Sequence, residues 1–124
     1  MLKKAALFIA VTYSIALVVV SLINLSEMPK VNLNYGDKIF HFLAYGLLCL
    51  LWSIVFSLQN PQSLNKAIIK AIIIATIFGI LLEVLQGTLT AHRSLDVYDA
   101  IANSLGAITM GSLLWVKAKL QVKN

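Results

Sequence analysis

LLEVLQGTLTAHRSLDVYDAIANSLGA, residues 81 to 107, holds the end of one long apolar segment, a short polar connection and the start of the next. It gathers Glu83, Arg93, Asp96, Asp99 and Asn103 in a chain otherwise poor in charge. The flanking apolar runs need apolar surroundings, while the polar groups inside them need partners or water. A bundle of membrane-spanning helices meets both needs, because side chains can turn toward one another and away from lipid.

The rest of the chain agrees. Of its 124 residues, 60% are hydrophobic and 12% charged, and its mean hydropathy is +0.88. Soluble domains average about 45 to 50% apolar and about 25% charged, so a water-facing surface cannot be built from this composition. Four apolar segments predict helices over about 5–25, 38–58, 66–86 and 97–117. The first has no charge and reaches about 30 Å as a helix, enough to cross a hydrocarbon core. Lys3 and Lys4 precede it as in a secretory signal. Its apolar region exceeds the roughly 7 to 15 residues of such a signal and no A-x-A-like site follows, so it reads as a retained anchor. The fold predicted is all-α, a membrane four-helix bundle forming a single domain over 1–124.

The connections are short. SEMPKVNLNYG (26–36) and the segment 87–95 read as outer loops, with Gly87 placed to end the third helix, and QNPQSLN (59–65) reads as an inner turn. Lys3, Lys4, Lys66, Lys70, Lys117, Lys119 and Lys123 then lie on the inner side, against Lys30, Lys38 and Arg93 outside. That bias predicts both termini in the cytoplasm. It also accounts for the net charge of +5 without nucleic acid, since no basic patch with interleaved aromatics exists. Ala102 and Gly106, then Ala107 and Gly111, are small residues four apart, a spacing that lets helices approach closely and predicts a central fourth helix. Cys49 is the only cysteine, so no intrachain disulfide or thiolate metal cage is available.

Depth follows from helical rise. If Lys70 and Lys117 reach the inner boundary, Glu83 and Asn103 lie about 20 Å above them, inside the membrane and level with each other. His41 lies near the outer boundary by the same measure. Asp37, Lys38, His41 and Tyr45 share a face of the second helix, Glu83 and Gln86 one of the third, and Asp96, Asp99 and Asn103 one of the fourth. A polar pocket open to the outer side is the default reading of such groups at membrane depth.

Structural roles stand beside it. Asp96 and Asp37 fit helix caps, with Asp99 completing a near capping box after Asp96. Lys38 fits an interfacial anchor, His41 a hydrogen-bonded interfacial residue, Tyr45 plain packing, and Gln86 and Asn103 glue between helices. Glu83 and Arg93 fit an ion pair. Asp37, His41, Glu83 and Asp99 are hard-cation ligand types, but their spacing matches no recognised cage, so no metal is assigned. Cofactors are unassigned. No P-loop, G-x-S-x-G or H-E-x-x-H is present. D-KIF-H (37–41) and D-AIA-N (99–103) echo each other at the starts of the second and fourth helices.

DKIFHFLAYGLL (37–48), E-x-x-Q (83–86) and RSLDVYDAIANSLGA (93–107), in that order, resemble the VanZ-like family of small multi-pass bacterial membrane proteins. The resemblance runs from Asp37 to Gly111. It implies a bacterial cell-membrane protein, and through the founding member a link to resistance against teicoplanin, a lipid-bearing glycopeptide acting at the outer face of that membrane. The family pattern falls on Asp37, Lys38, His41, Glu83, Gln86, Arg93, Asp99, Asn103 and Gly106. This chain departs from it in having Ala91-His92-Arg93 where many members place a proline shortly before the arginine.

Three functions fit. The first is binding of a lipid-linked or amphiphilic envelope ligand, such as a glycopeptide, by Asp37, Lys38, His41, Glu83, Gln86, Arg93, Asp99 and Asn103, with Lys38 and Arg93 on an anionic head group. The second is an enzyme acting on a head group, with Glu83 or Asp99 as base and His41 as its acid or base partner. The third is a non-catalytic assembly partner, its polar groups setting helix register. In each case membrane lipids are partners.

Overall fold

A computed structural model describes residues 1–23, 36–61, 63–89 and 96–122, without the side chains of Asp37 and Val122. These residues form four α-helices: α1 (Leu2–Leu22), α2 (Gly36–Gln59), α3 (Leu64–Leu89) and α4 (Val97–Val122). The predicted helices are all present, but most run further than their apolar segments. Lys3, Lys4 and Lys66 are helical, as are Lys117 and Lys119. The hydrocarbon thickness limits how many residues must be apolar, whereas lysine is a good helix former whose stem can follow the helix surface into the head-group region.

Two boundaries differ from expectation for local reasons. α1 ends at Leu22, before Leu25, where Ile23 turns to extended backbone with its amide still bonded to the Val19 carbonyl. Gly87 does not close α3. The helix continues to Leu89 with no positive φ at any described glycine, and the Thr88 hydroxyl bonds back to the Val84 carbonyl at 3.0 Å. A glycine stops a helix only when the chain takes the left-handed conformation there.

Leu2–Leu22, Lys38–Gln59 and Leu64–Leu89 are long and apolar enough to cross a membrane. α4 matches α3 in length at 26 residues. Its polar residues Asp99, Asn103 and Ser104 make it less apolar, and Asn103 is buried against neighbouring helices. The molecule is therefore a membrane four-helix bundle whose fourth helix keeps its polar side inward.

Packing is uneven. α2 and α3 each touch all three other helices, α2 and α4 share the most extensive interface, and α1 lies on α2 and α3 without reaching α4 among the described residues. The expectation of a central α4 is thus corrected: the small residues draw it tightly onto α2 and α3, but from one side. A Cβ on Gly106 would collide with the Phe42 carbonyl oxygen, so glycine is what allows that approach. On the other side the Tyr13 hydroxyl donates to the Ala44 carbonyl at 2.6 Å, and the Trp52 indole donates to the Ser14 hydroxyl at 3.1 Å, seating α1.

Alanines are prominent in the core beside Tyr45, Leu48 and Leu82, and large apolar side chains cover the outside. Ala71, Ala75 and Ala107 are fully buried, whereas Phe8, Phe40, Leu43, Ile69 and Leu113 are more than half exposed. Lipid tails are as apolar as leucine, so burying large side chains offers little drive between helices, while close backbone contact does.

Candidate functional site

The helices alternate in direction, which brings the C-termini of α1 and α3 to the same end as the N-termini of α2 and α4. At that end stand the polar residues. On α2, Lys38 and His41 lie one turn apart; on α4, Asp96, Asp99 and Asn103 follow at three- and four-residue steps, which keeps each set on one face.

The Lys38 ammonium bridges two carboxylates, reaching Asp96 Oδ2 at 2.9 Å and Asp99 Oδ1 at 2.6 Å. Asp99 then uses its other oxygen toward His41 Nε2, at 3.5 Å. His41 Nδ1 lies 2.9 Å from Asn103 Oδ1. Asn103 is 1% exposed, and its Nδ2 donates to the Gly79 carbonyl at 3.4 Å. That bond orients the amide so that its oxygen faces the ring. The result is a ladder, Lys38–Asp99–His41–Asn103–Gly79, that alternates between α2 and α4 and ends on α3. The two echoing positions of the sequence, His41 and Asn103, meet in it.

Glu83 joins from α3. It is 2% exposed, and its Oε1 accepts the backbone N–H of Asp96 at 2.9 Å. Asp96 caps α4: its Oδ1 accepts the Tyr98 amide at 2.9 Å, and its carbonyl receives the Asp99 and Ala100 amides. In a capping box the side chain three residues into the helix would bond the cap residue's own amide. Here Glu83 of another helix makes that bond, leaving Asp99 free to engage Lys38 and His41. Asp96 is both the cap and a member of the cluster. Hydrogen bonding to Lys38 holds its carboxyl below the usual aspartate range.

Glu83 is therefore level with Asp96, and Asn103 lies a turn deeper beside Gly79. The expectation that Glu83 and Asn103 share a depth is corrected, because it placed Lys70 and Lys117 in one plane, whereas the contacts between α3 and α4 set the actual offset. Gln86 points elsewhere, donating to the Ser21 carbonyl of α1 at 2.8 Å while 4% exposed. Tyr45 is buried against Phe78 in a tilted ring contact. Arg93 lies outside the described residues, as does the Asp37 side chain. Among the described residues no group of three or more His, Cys, Asp or Glu side chains is arranged to hold a metal ion.

Gly79 escaped the sequence reading. A Cβ there would lie 2.9 Å from Asn103 Cβ and 3.0 Å from Tyr45 Cε1, so its missing side chain makes the space into which Asn103 fits. The signal was present, since Gly79 stands one turn before Glu83 on the same face. The Ser21 carbonyl had no signal, being a backbone group.

Together with Glu83 and Asp96 the ladder forms a cluster of three carboxylates, one ammonium and one imidazole among the described residues. Such a set can accept hydrogen bonds from hydroxyl or amino groups and can hold a proton at the imidazole. Both His41 nitrogens already face protein oxygens.

Over 96 residues the chain is 31% identical to Uncharacterized protein C11E3.10 of Schizosaccharomyces pombe, an alignment covering 75% of this chain and 56% of that protein. The chain thus spans little more than half the length of this fungal relative. No solved structure matches this chain. The VanZ/LLP1 family model covers residues 3–118, reaching past the motifs at both ends to take in nearly all of α1 and most of α4, and the chain belongs to that family.

Proposed function

We propose that this VanZ/LLP1 member is a cell-envelope protein of a bacterial membrane whose polar end binds the head group of a lipid-linked or amphiphilic ligand. The observation that carries the reading is the buried Glu83 carboxylate, tied to α4 at the level where Lys38 bridges Asp96 and Asp99. A carboxylate inside a membrane bundle is costly, and such groups commonly mark a ligand or ion path. The spare lone pairs of this cluster suit a head group rich in hydroxyl or amino donors. Lys38 is already shared between two carboxylates, so Arg93, three residues before Asp96, is the stronger partner for an anionic part of the ligand. By the positive-inside bias this end faces outward, where a glycopeptide such as teicoplanin also acts.

What supports binding over catalysis is that every acid–base candidate is already engaged: Glu83 Oε1 by the Asp96 amide, Asp99 by Lys38 and His41, and both His41 nitrogens by Asn103 and Asp99. The test uses purified protein and a fluorescent lipoglycopeptide or lipid-linked envelope precursor. Arg93→Ala is expected to abolish binding, and Glu83→Gln to retain part of it. Full binding but lost turnover in Glu83→Gln would favour an enzyme instead. Loss of membrane abundance in both, with function tracking abundance, would favour an assembly role. Teicoplanin susceptibility of cells with and without the gene tests the resistance link.

A further inference from the structure

The other end of the bundle holds a hollow of about 170 Å³ between the last turns of α2, the first turns of α3 and the last turns of α4. Leu50, Ile68 and Leu114 supply apolar wall. Ser53, Ser57, Lys117 and Gln121 supply the polar groups, and no carboxylate lines it among the described residues. The Ser53 hydroxyl is buried there, on a residue 5% exposed, with no hydrogen-bond partner among the described residues.

Charge separates the two ends. Glu83, Asp96 and Asp99 sit at the far end, while Lys3, Lys4, Lys66, Lys70, Lys117 and Lys119 belong to the turns at this one. These lysines are not equivalent. Lys119 rests on the Trp115 ring at 3.8 Å and Lys70 lies 6.0 Å from the Phe56 ring. Lys117 lines the hollow, is exposed, and has no ion-pair partner among the described residues. An apolar cleft inside the membrane with an uncompensated ammonium at its mouth matches a molecule with an alkyl chain and an anionic head. Membrane phospholipid is the one such molecule always present at high concentration around these helices.

We infer that this hollow seats an anionic phospholipid, one acyl chain entering between α2, α3 and α4 and the phosphate resting on Lys117. The volume admits part of one chain, leaving the second chain along the lipid-facing surface. Ser57 and Gln121 flank the head group. This site is distinct from the cluster at the other end, and the inference does not depend on what that cluster binds.

The test is native mass spectrometry of the full chain in detergent, with phosphatidylglycerol or phosphatidylcholine of matched acyl chains added. The expected result is retention of phosphatidylglycerol about fivefold above phosphatidylcholine, the equivalent of the roughly 1 kcal/mol that one lysine contributes beside anionic lipid. Lys117→Gln removes that preference, Leu114→Trp, which fills the hollow, lowers retention of both lipids, and Lys119→Gln changes neither. Equal retention of the two lipids by the unaltered protein overturns the proposal. So does an unchanged preference in Lys117→Gln, full retention in Leu114→Trp, or a loss in Lys119→Gln as large as that in Lys117→Gln, which would mean diffuse surface charge. Lys117 and Lys119 are both exposed, so these two variants leave the packed core untouched.

Discussion

Glu83 ties the end of α3 to the start of α4 through one backbone amide. Replacing it with leucine orphans the Asp96 N–H and should cost about 1 to 3 kcal/mol. Glutamine keeps an acceptor at the same place and should cost less, and thermal unfolding in detergent orders the two variants. Asp96 carries a pH signature. Its folded-state carboxyl holds the proton less tightly than in the unfolded chain, because of the Lys38 bond. Its contribution is therefore whole above the ordinary aspartate value of about 3.9 and is lost as pH falls through the lower folded value. The unfolding temperature of the unaltered protein should drop more steeply than that of Asp96→Asn as pH falls below about 3.9. The group is partly exposed, so the difference should be modest. At this scale the residue types were readable from sequence, since ionisable groups in apolar helices stand out. Their partners were not: nothing local indicates that Asp99 would leave the capping role to Glu83.

The α2–α4 contact turns on its glycines. A Cβ on Gly106 would overlap the Phe42 carbonyl, a backbone atom that cannot rotate away, whereas one on Gly46 would meet Gly106 O at 3.4 Å, an ordinary contact. Gly106→Ala should therefore destabilise by about 1 to 3 kcal/mol through overpacking. Gly46→Ala should be neutral or gain up to about 1 kcal/mol from helix propensity. Parallel melts of the two variants, in the same detergent, check the contrast. The small-residue spacing that announces this interface was visible in sequence, and the four helices followed from the apolar segments alone. The end of α3 was not visible, because a glycine's presence permits a stop without requiring one.

Across the whole molecule the polar groups are sorted by end, carboxylates at one and most lysines at the other. A reporter fused after Leu89 should read as external if the lysine-rich end faces the cytoplasm, and a cytoplasmic reading would invert the proposed topology. The long apolar segments by themselves determined that this protein is helical and membrane-embedded, because hydrocarbon offers the backbone no hydrogen-bond partner and a continuous apolar run of about 20 residues satisfies its own as a helix. They determined equally that Glu83, Asp99 and Asn103 must turn inward, because facing lipid would strand them. How they pair was settled by three-dimensional packing: the relative heights of α3 and α4, the space left by Gly79, and the sharing of Lys38 between Asp96 and Asp99. Periodicity records which side of a helix a residue occupies, but the offset between helices depends on contacts between residues far apart in the chain.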